Sequence, residues 1–139
     1  MTLTFAATTR NAIADALVDL LDAGSGAGTI EIRSGTRPAG PDSAAAGTLL
    51  ATITLADPAF GAASAGAAAL SDPASVNAVA TGTATWFRAK DSDGTARFDG
   101  KVTETGGGGD LTLQTTSITS GLAVDITGGT VTASAGTAD

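Results

Sequence analysis

The sequence predicts a mainly β domain, a jelly-roll-like β-sandwich with one N-terminal amphipathic helix. Three observations carry this. One stretch near the start places its apolar residues at helical spacing. Most of the rest alternates apolar and polar residues, the period of a strand with one buried face. Gly, Pro and Asp residues cut that remainder into seven or eight short strands, which suits a sandwich.

Residues 1–9 carry Leu3 and Phe5 and no charged side chain, which predicts an arm that pairs as a strand or docks on a neighbour. The helix is predicted over 10–23. Ile13, Leu17, Leu20 and Leu21 follow the i, i+4, i+7, i+8 pattern. Thr8 or Thr9 supplies a hydroxyl to cap its start, and Gly24 suits the left-handed residue that closes a helix. Asp15, Asp19 and Asp22 lie on the opposite face and are expected in solvent, with a basic partner groove as the alternative.

Strands follow. Thr29-Ile30-Glu31-Ile32-Arg33 alternates, and after the turn-rich stretch 35–42 a second run covers 48–55. Asp57-Pro58 and Asp72-Pro73 mark turns around the Ala/Gly stretch 61–69, which fits either two short edge strands or an irregular loop. Runs 83–90 and 95–102 flank Asp91-Ser92-Asp93-Gly94 and predict a hairpin. The run Gly106-Gly107-Gly108-Gly109 predicts a flexible loop tip. Residues 110–113, 122–126 and 130–132 complete the strands. The domain is expected over 10–133, with a loose tail at 134–139. No period of repeat size appears, which argues against a solenoid or propeller.

Composition narrows the function classes. Leu, Ile, Val and Phe number 27 of 139 residues, so the core is thin. Only 15% of residues are charged, and Ala, Thr, Gly and Ser dominate. A surface so poor in charge suits a protein covered by partners or by copies of itself, although a GC-rich source would also enrich Ala and Gly. Self-association is expected, a homodimer first and a trimer second. The net charge of −7 and the scattered basic residues argue against nucleic acid. No apolar run is long enough to span a membrane, and the start lacks the pattern of a signal peptide. The chain is therefore expected inside the cell until something releases it.

The chain has neither Cys nor His, which removes thiolate chemistry, the commonest general base and the commonest metal ligands. Asp91-Ser92-Asp93-Gly94 resembles the first half of a calcium loop, but no downstream Glu or flanking helices complete one. Asp and Gly are also what a hairpin turn prefers. The glycine run leads into Asp110 and a strand, not into the Lys and helix of a phosphate loop. Asp91, Asp93, Asp99 and Glu104 are candidate carboxylates for glycoside hydrolysis, yet nothing in the sequence pairs them across a cleft. No G-x-S-x-G elbow occurs. The expectation is a protein without enzymatic activity or cofactor.

Trp86-Phe87-Arg88 is the densest cluster of large side chains. Alternation sends Trp86 and Phe87 to opposite sheet faces. Trp86 shares its face with Arg88 and Lys90, long stems beside an indole, so that face is expected to be the outer one. Trp and Arg are frequent anchors of protein interfaces. The competing expectation is that the domain covers both faces itself.

Several stretches together cover nearly the whole chain: Arg10-Asn11-Ala12, Gly35-Thr36-Arg37-Pro38, Gly47-Thr48-Leu49-Leu50-Ala51, Thr83-Ala84-Thr85-Trp86-Phe87-Arg88, Asp93-Gly94-Thr95, Asp99-Gly100 with Val102, and Gly109-Asp110-Leu111. In these stretches the sequence resembles small cement, or decoration, proteins encoded among the virion genes of tailed bacteriophages and prophages. None of them is a catalytic motif. The resemblance implies a jelly-roll-like structural protein on the outer surface of an icosahedral head, bridging subunits of the major capsid protein. The alternative is a tail or head-fibre adhesin that binds host glycans. Candidate interface residues are Leu3, Phe5, Arg37, Trp86, Arg88 and Lys90.

Overall fold

In the computed structural model, which describes residues 3–136, the helix starts earlier than the apolar spacing predicts. α1 (Ala7–Asp19) follows Ala6, whose extended backbone forms the cap without a side-chain hydrogen bond. Thr8 and Thr9 lie inside the first turn and do not cap it. A 3₁₀ turn (Leu20–Asp22) continues the helix, and Gly24 at φ +98° closes it.

The buried face of α1 is rotated from the predicted one. Ala14, Val18 and Leu21 point inward, while Ile13 and Leu20 are 44% and 39% exposed. The polar side chains account for this. Asn11, Asp15 and Asp22 accept backbone N–H bonds from Gly66 (2.7 Å), Ala63 (2.7 Å) and Ala59 (2.9 Å). Those amides sit in irregular chain and would otherwise lack partners. Of the three acids expected in solvent, only Asp19 is exposed.

The strands are β1 (Thr29–Arg33), β2 (Leu49–Thr54), β3 (Ala67–Ala69), β4 (Val76–Asn77), β5 (Gly82–Thr83) and β6 (Trp86–Lys90), followed by β7 (Ala96–Glu104), β8 (Leu111–Leu113), β9 (Ser117–Ile118), β10 (Ala123–Val124) and β11 (Ile126–Thr132). Seven form one mixed sheet in the order β2-β1-β6-β7-β8-β11-β3. The other four form two ribbons, β4 with β10 and β5 with β9. The stretch 61–69 thus resolves into an irregular turn leading to the edge strand β3.

All pairs in the large sheet are antiparallel except β7–β8, where Val102 faces Leu111 and Glu104 faces Leu113. A parallel connection normally needs a dozen residues or more. Here residues 105–110 suffice because β8 is only three residues long. Gly106 and Gly108, at φ +86° and +81°, let the chain double back, a conformation costly for other residues. The glycine run is a return loop rather than the predicted flexible tip. Gly109 N–H is tied to Thr103 Oγ1 at 3.0 Å.

The core lies on one face of the sheet and under α1. Ile30, Ile32, Ile53, Phe87, Ala89, Leu111, Leu113 and Ile126 are its main sheet members. Each large aliphatic side chain buried here contributes about 1.5–3 kcal/mol relative to exposure.

The predicted hairpin is present as β6–β7, closed by the turn after Lys90. Asp91 organises that turn. Its Oδ1 accepts the N–H groups of Asp93 and Thr95, both at 3.0 Å, and its Oδ2 meets Arg97 Nη2 at 2.6 Å. Burial by itself would raise the pKa of this carboxyl. The two amides and the guanidinium outweigh it and hold the group below the usual carboxylate range. A depressed folded-state pKa stabilises the fold above the unfolded value, about 3.9, and that stabilisation fades as pH falls through the folded value. Asp91→Asn should therefore remove part of the acid-induced loss of stability below about pH 4. Urea titrations across that range check this. Identical pH slopes in the two proteins would exclude Asp91 as the titrating group.

Candidate functional site

The most elaborate polar arrangement lies on the outer face of β1, β6 and β7. Alternation distributes β6 as expected, with Phe87 and Ala89 in the core and Trp86, Arg88 and Lys90 on the other face. Across the β1–β6 ladder Arg33 faces Trp86 and Glu31 faces Arg88. Across β6–β7, Trp86 faces Lys101 and Arg88 faces Asp99.

Arg88 is the centre of this face. Its Nε and Nη2 donate to Asp99 Oδ1 at 2.8 Å and Oδ2 at 2.9 Å, a bidentate pair. Nη1 donates to the carbonyl of Ser43 at 2.9 Å and Nη2 to that of Gly40 at 3.2 Å. The bond to Asp99, ahead of the opposing cost of burial, raises the guanidinium pKa above its ordinary value. The charges of Asp99 and Glu31 add to this. Arg88 lies 5.5 Å from the centroid of the Trp86 ring, within cation–π range. Trp86 Nε1 donates to Ser34 O at 3.1 Å.

Residues 34–48, the connection from β1 to β2, therefore fold back as a strap over this face. Trp86 is 1% exposed and Arg88 4%. This corrects the expectation that they form an outer surface awaiting a partner. The face division was right, but the cover comes from the chain itself. Lys90 is committed as well, pairing with Glu31 at 3.1 Å, and Glu31 also meets Arg33 at 3.3 Å. Arg37 is exposed on the strap, at a cleft shared with Pro38, Pro41, Arg97 and Phe98.

The other two candidates sit elsewhere. Leu3 is 52% exposed and Phe5 half-buried. Phe5 N–H donates to Ala135 O at 2.9 Å, and Thr4 forms an antiparallel bridge with Gly136. Thr4 and Phe5 of the expected arm thus lie against Ala135 and Gly136 of the expected tail, while residues 7–9, also expected in the arm, form the first turn of α1. Met1, Thr2 and residues 137–139 fall outside the described residues.

Sequence reasoning missed the exposed apolar set. The helical spacing turns Ile13 and Leu20 inward, and Val79, 68% exposed, lies outside every predicted element. It also missed the Arg88–Asp99 pair, which the hairpin register would have disclosed. A cross-strand match of Trp86 with Lys101 places Arg88 opposite Asp99.

Among the described residues no helix is long and apolar enough to cross a membrane. Comparison of the chain with family models, curated proteins and solved structures gave no match.

Proposed function

We propose that this chain is a structural virion protein without enzymatic activity, a cement or decoration protein that binds the outside of an icosahedral phage head and bridges subunits of the major capsid protein. The observation that carries the proposal is the surface. Leu3, Ile13, Leu20 and Val79 are exposed on a chain with only 15% charged residues. Exposed apolar side chains on a weakly charged surface favour contact with other protein. The resemblance to virion proteins of tailed phages supports the same assignment. In this proposal the scaffold is a jelly-roll-like sandwich, with the β7–β8 parallel pair as its departure from an all-antiparallel version. The protein would assemble in the host cytoplasm and reside on the virion, as a homodimer or, failing that, a trimer.

Mixing the purified protein with undecorated heads tests this. Many copies bound per particle, with heads surviving higher temperature, is the expected result. A few copies at a tail or fibre position would favour the adhesin alternative, and no binding to heads would overturn the proposal. Deleting residues 2–6 should weaken head binding more than it lowers the melting temperature. Equal binding by the truncated protein would remove the arm from the interface.

A further inference from the structure

Three of the four phenylalanines converge on one place. Phe60, Phe87 and Phe98 line a cavity of about 200 Å³ between α1 and the sheet, together with Leu17, Ile30 and Leu111. Phe87 and Phe98 meet edge to face, with ring centroids 6.3 Å apart at 85°. In a chain this poor in large apolar residues, a void beside three of its phenylalanines forfeits contacts that packing would otherwise supply. The cavity is open on one side, where Leu17 and Phe98 are only half-buried.

One wall differs from the rest. Gly100 carries no side chain, and a Cβ there would collide with the Phe87 ring. The space left brings Asp110 close, with its Oδ2 3.2 Å from the position that Cβ would take. The same oxygen accepts the Lys101 backbone N–H at 2.9 Å, which fixes the carboxylate at the cavity wall. Asp110 itself is exposed, so its charge stands at the mouth rather than in the interior.

We propose that this cavity is a binding site for a small apolar group carrying a positive charge, of the arylalkylammonium class. Volume sets the apolar part. An enclosed space of about 150 Å³ lined by Leu, Ile and Phe accommodates a benzene ring, and this cavity is of that order. Charge complementarity sets the head group. Asp110 lines the same cavity as Phe60, Phe87 and Phe98, so an ammonium on a short arm from a ring seated there would meet opposite charge, whereas a carboxylate on that arm would meet like charge. The site goes beyond the virion assignment and does not depend on it.

The test is a titration of the full chain with benzylammonium, benzyl alcohol and phenylacetate, followed by methyl resonances of Leu17, Ile30, Leu111 and Val131. The expected result is saturable shifts confined to these methyls, with the Trp86 indole resonance unmoved because it lies on the other sheet face. Benzylammonium should bind about threefold more tightly than benzyl alcohol, the scale of an exposed ion pair, and phenylacetate least tightly. Asp110→Asn keeps an acceptor for the Lys101 amide and should equalise benzylammonium and benzyl alcohol. Leu17→Phe should fill the cavity and abolish binding of all three. Shifts that never saturate, or that spread over the whole protein, would mean that the void is only loose packing and would overturn the proposal. Equal affinity for the three probes, or a cation preference that survives in Asp110→Asn, would overturn the charge assignment.

Discussion

Arg88→Ala is expected to cost about 3–5 kcal/mol of folding stability, the range found when one partner of a buried ion pair is removed. Both side chains of the Arg88–Asp99 pair are almost fully buried, at 5% and 4% exposure. The substitution leaves Asp99 as an uncompensated buried charge and takes the guanidinium donor from the Ser43 carbonyl, while the Gly40 carbonyl keeps only the Ser43 N–H. Total stability of a domain is about 5–15 kcal/mol, so the loss would consume much of it. Urea denaturation measures it. The chain has a single tryptophan, beneath the strap, so its fluorescence reports on the same region. Greater access of acrylamide to Trp86 under native conditions would show that the strap has loosened. A loss below about 1 kcal/mol, the scale of exposed pairs, would mean that Arg88 does not fasten the strap.

Trp86→Ala should be comparably damaging, at about 3–5 kcal/mol, the usual cost of truncating a buried large aromatic. The indole fills the space between the sheet and residue 34, and its N–H satisfies the Ser34 carbonyl. Trp86→Phe keeps most of the contact area but orphans that carbonyl, so it should cost less. Thermal unfolding followed by circular dichroism ranks the three proteins. If Trp86→Ala retained wild-type stability, the strap would not depend on the indole for its seat. Because Trp86 and Arg88 touch, the double variant should lose less than the sum of the single losses.

Both outcomes turn on a point that local sequence leaves open. Alternation correctly separated Trp86 from Phe87 and disclosed β1, β2 and the β6–β7 hairpin, because each is a local pattern of period two. Sequence patterning also disclosed that a helix exists, but not which way it faces. Asn11, Asp15 and Asp22 bond to amides 55, 48 and 37 residues away, and no local rule reports such partners. Strands of two residues, such as β4 and β9, carry no period and lie outside every predicted run. The strap read as turns because Gly and Pro mark turns without showing where the chain returns. The cavity was hidden for a related reason, since Phe60, Phe87 and Phe98 come from separate parts of the chain.

The strap also bears on kinetics. β6 meets β7 across a tight turn, so that hairpin forms from neighbours in sequence. Arg88 reaches Ser43 and Gly40 across 45 and 48 residues, and only after β1 has docked on β6. Contacts of such long range close late, because their loop entropy must be spent first. An interaction absent from the transition state leaves the folding rate nearly unchanged and slows unfolding. The bonds from Arg88 to the strap therefore act less on how fast the native state is reached than on its lifetime: they raise the barrier to leaving.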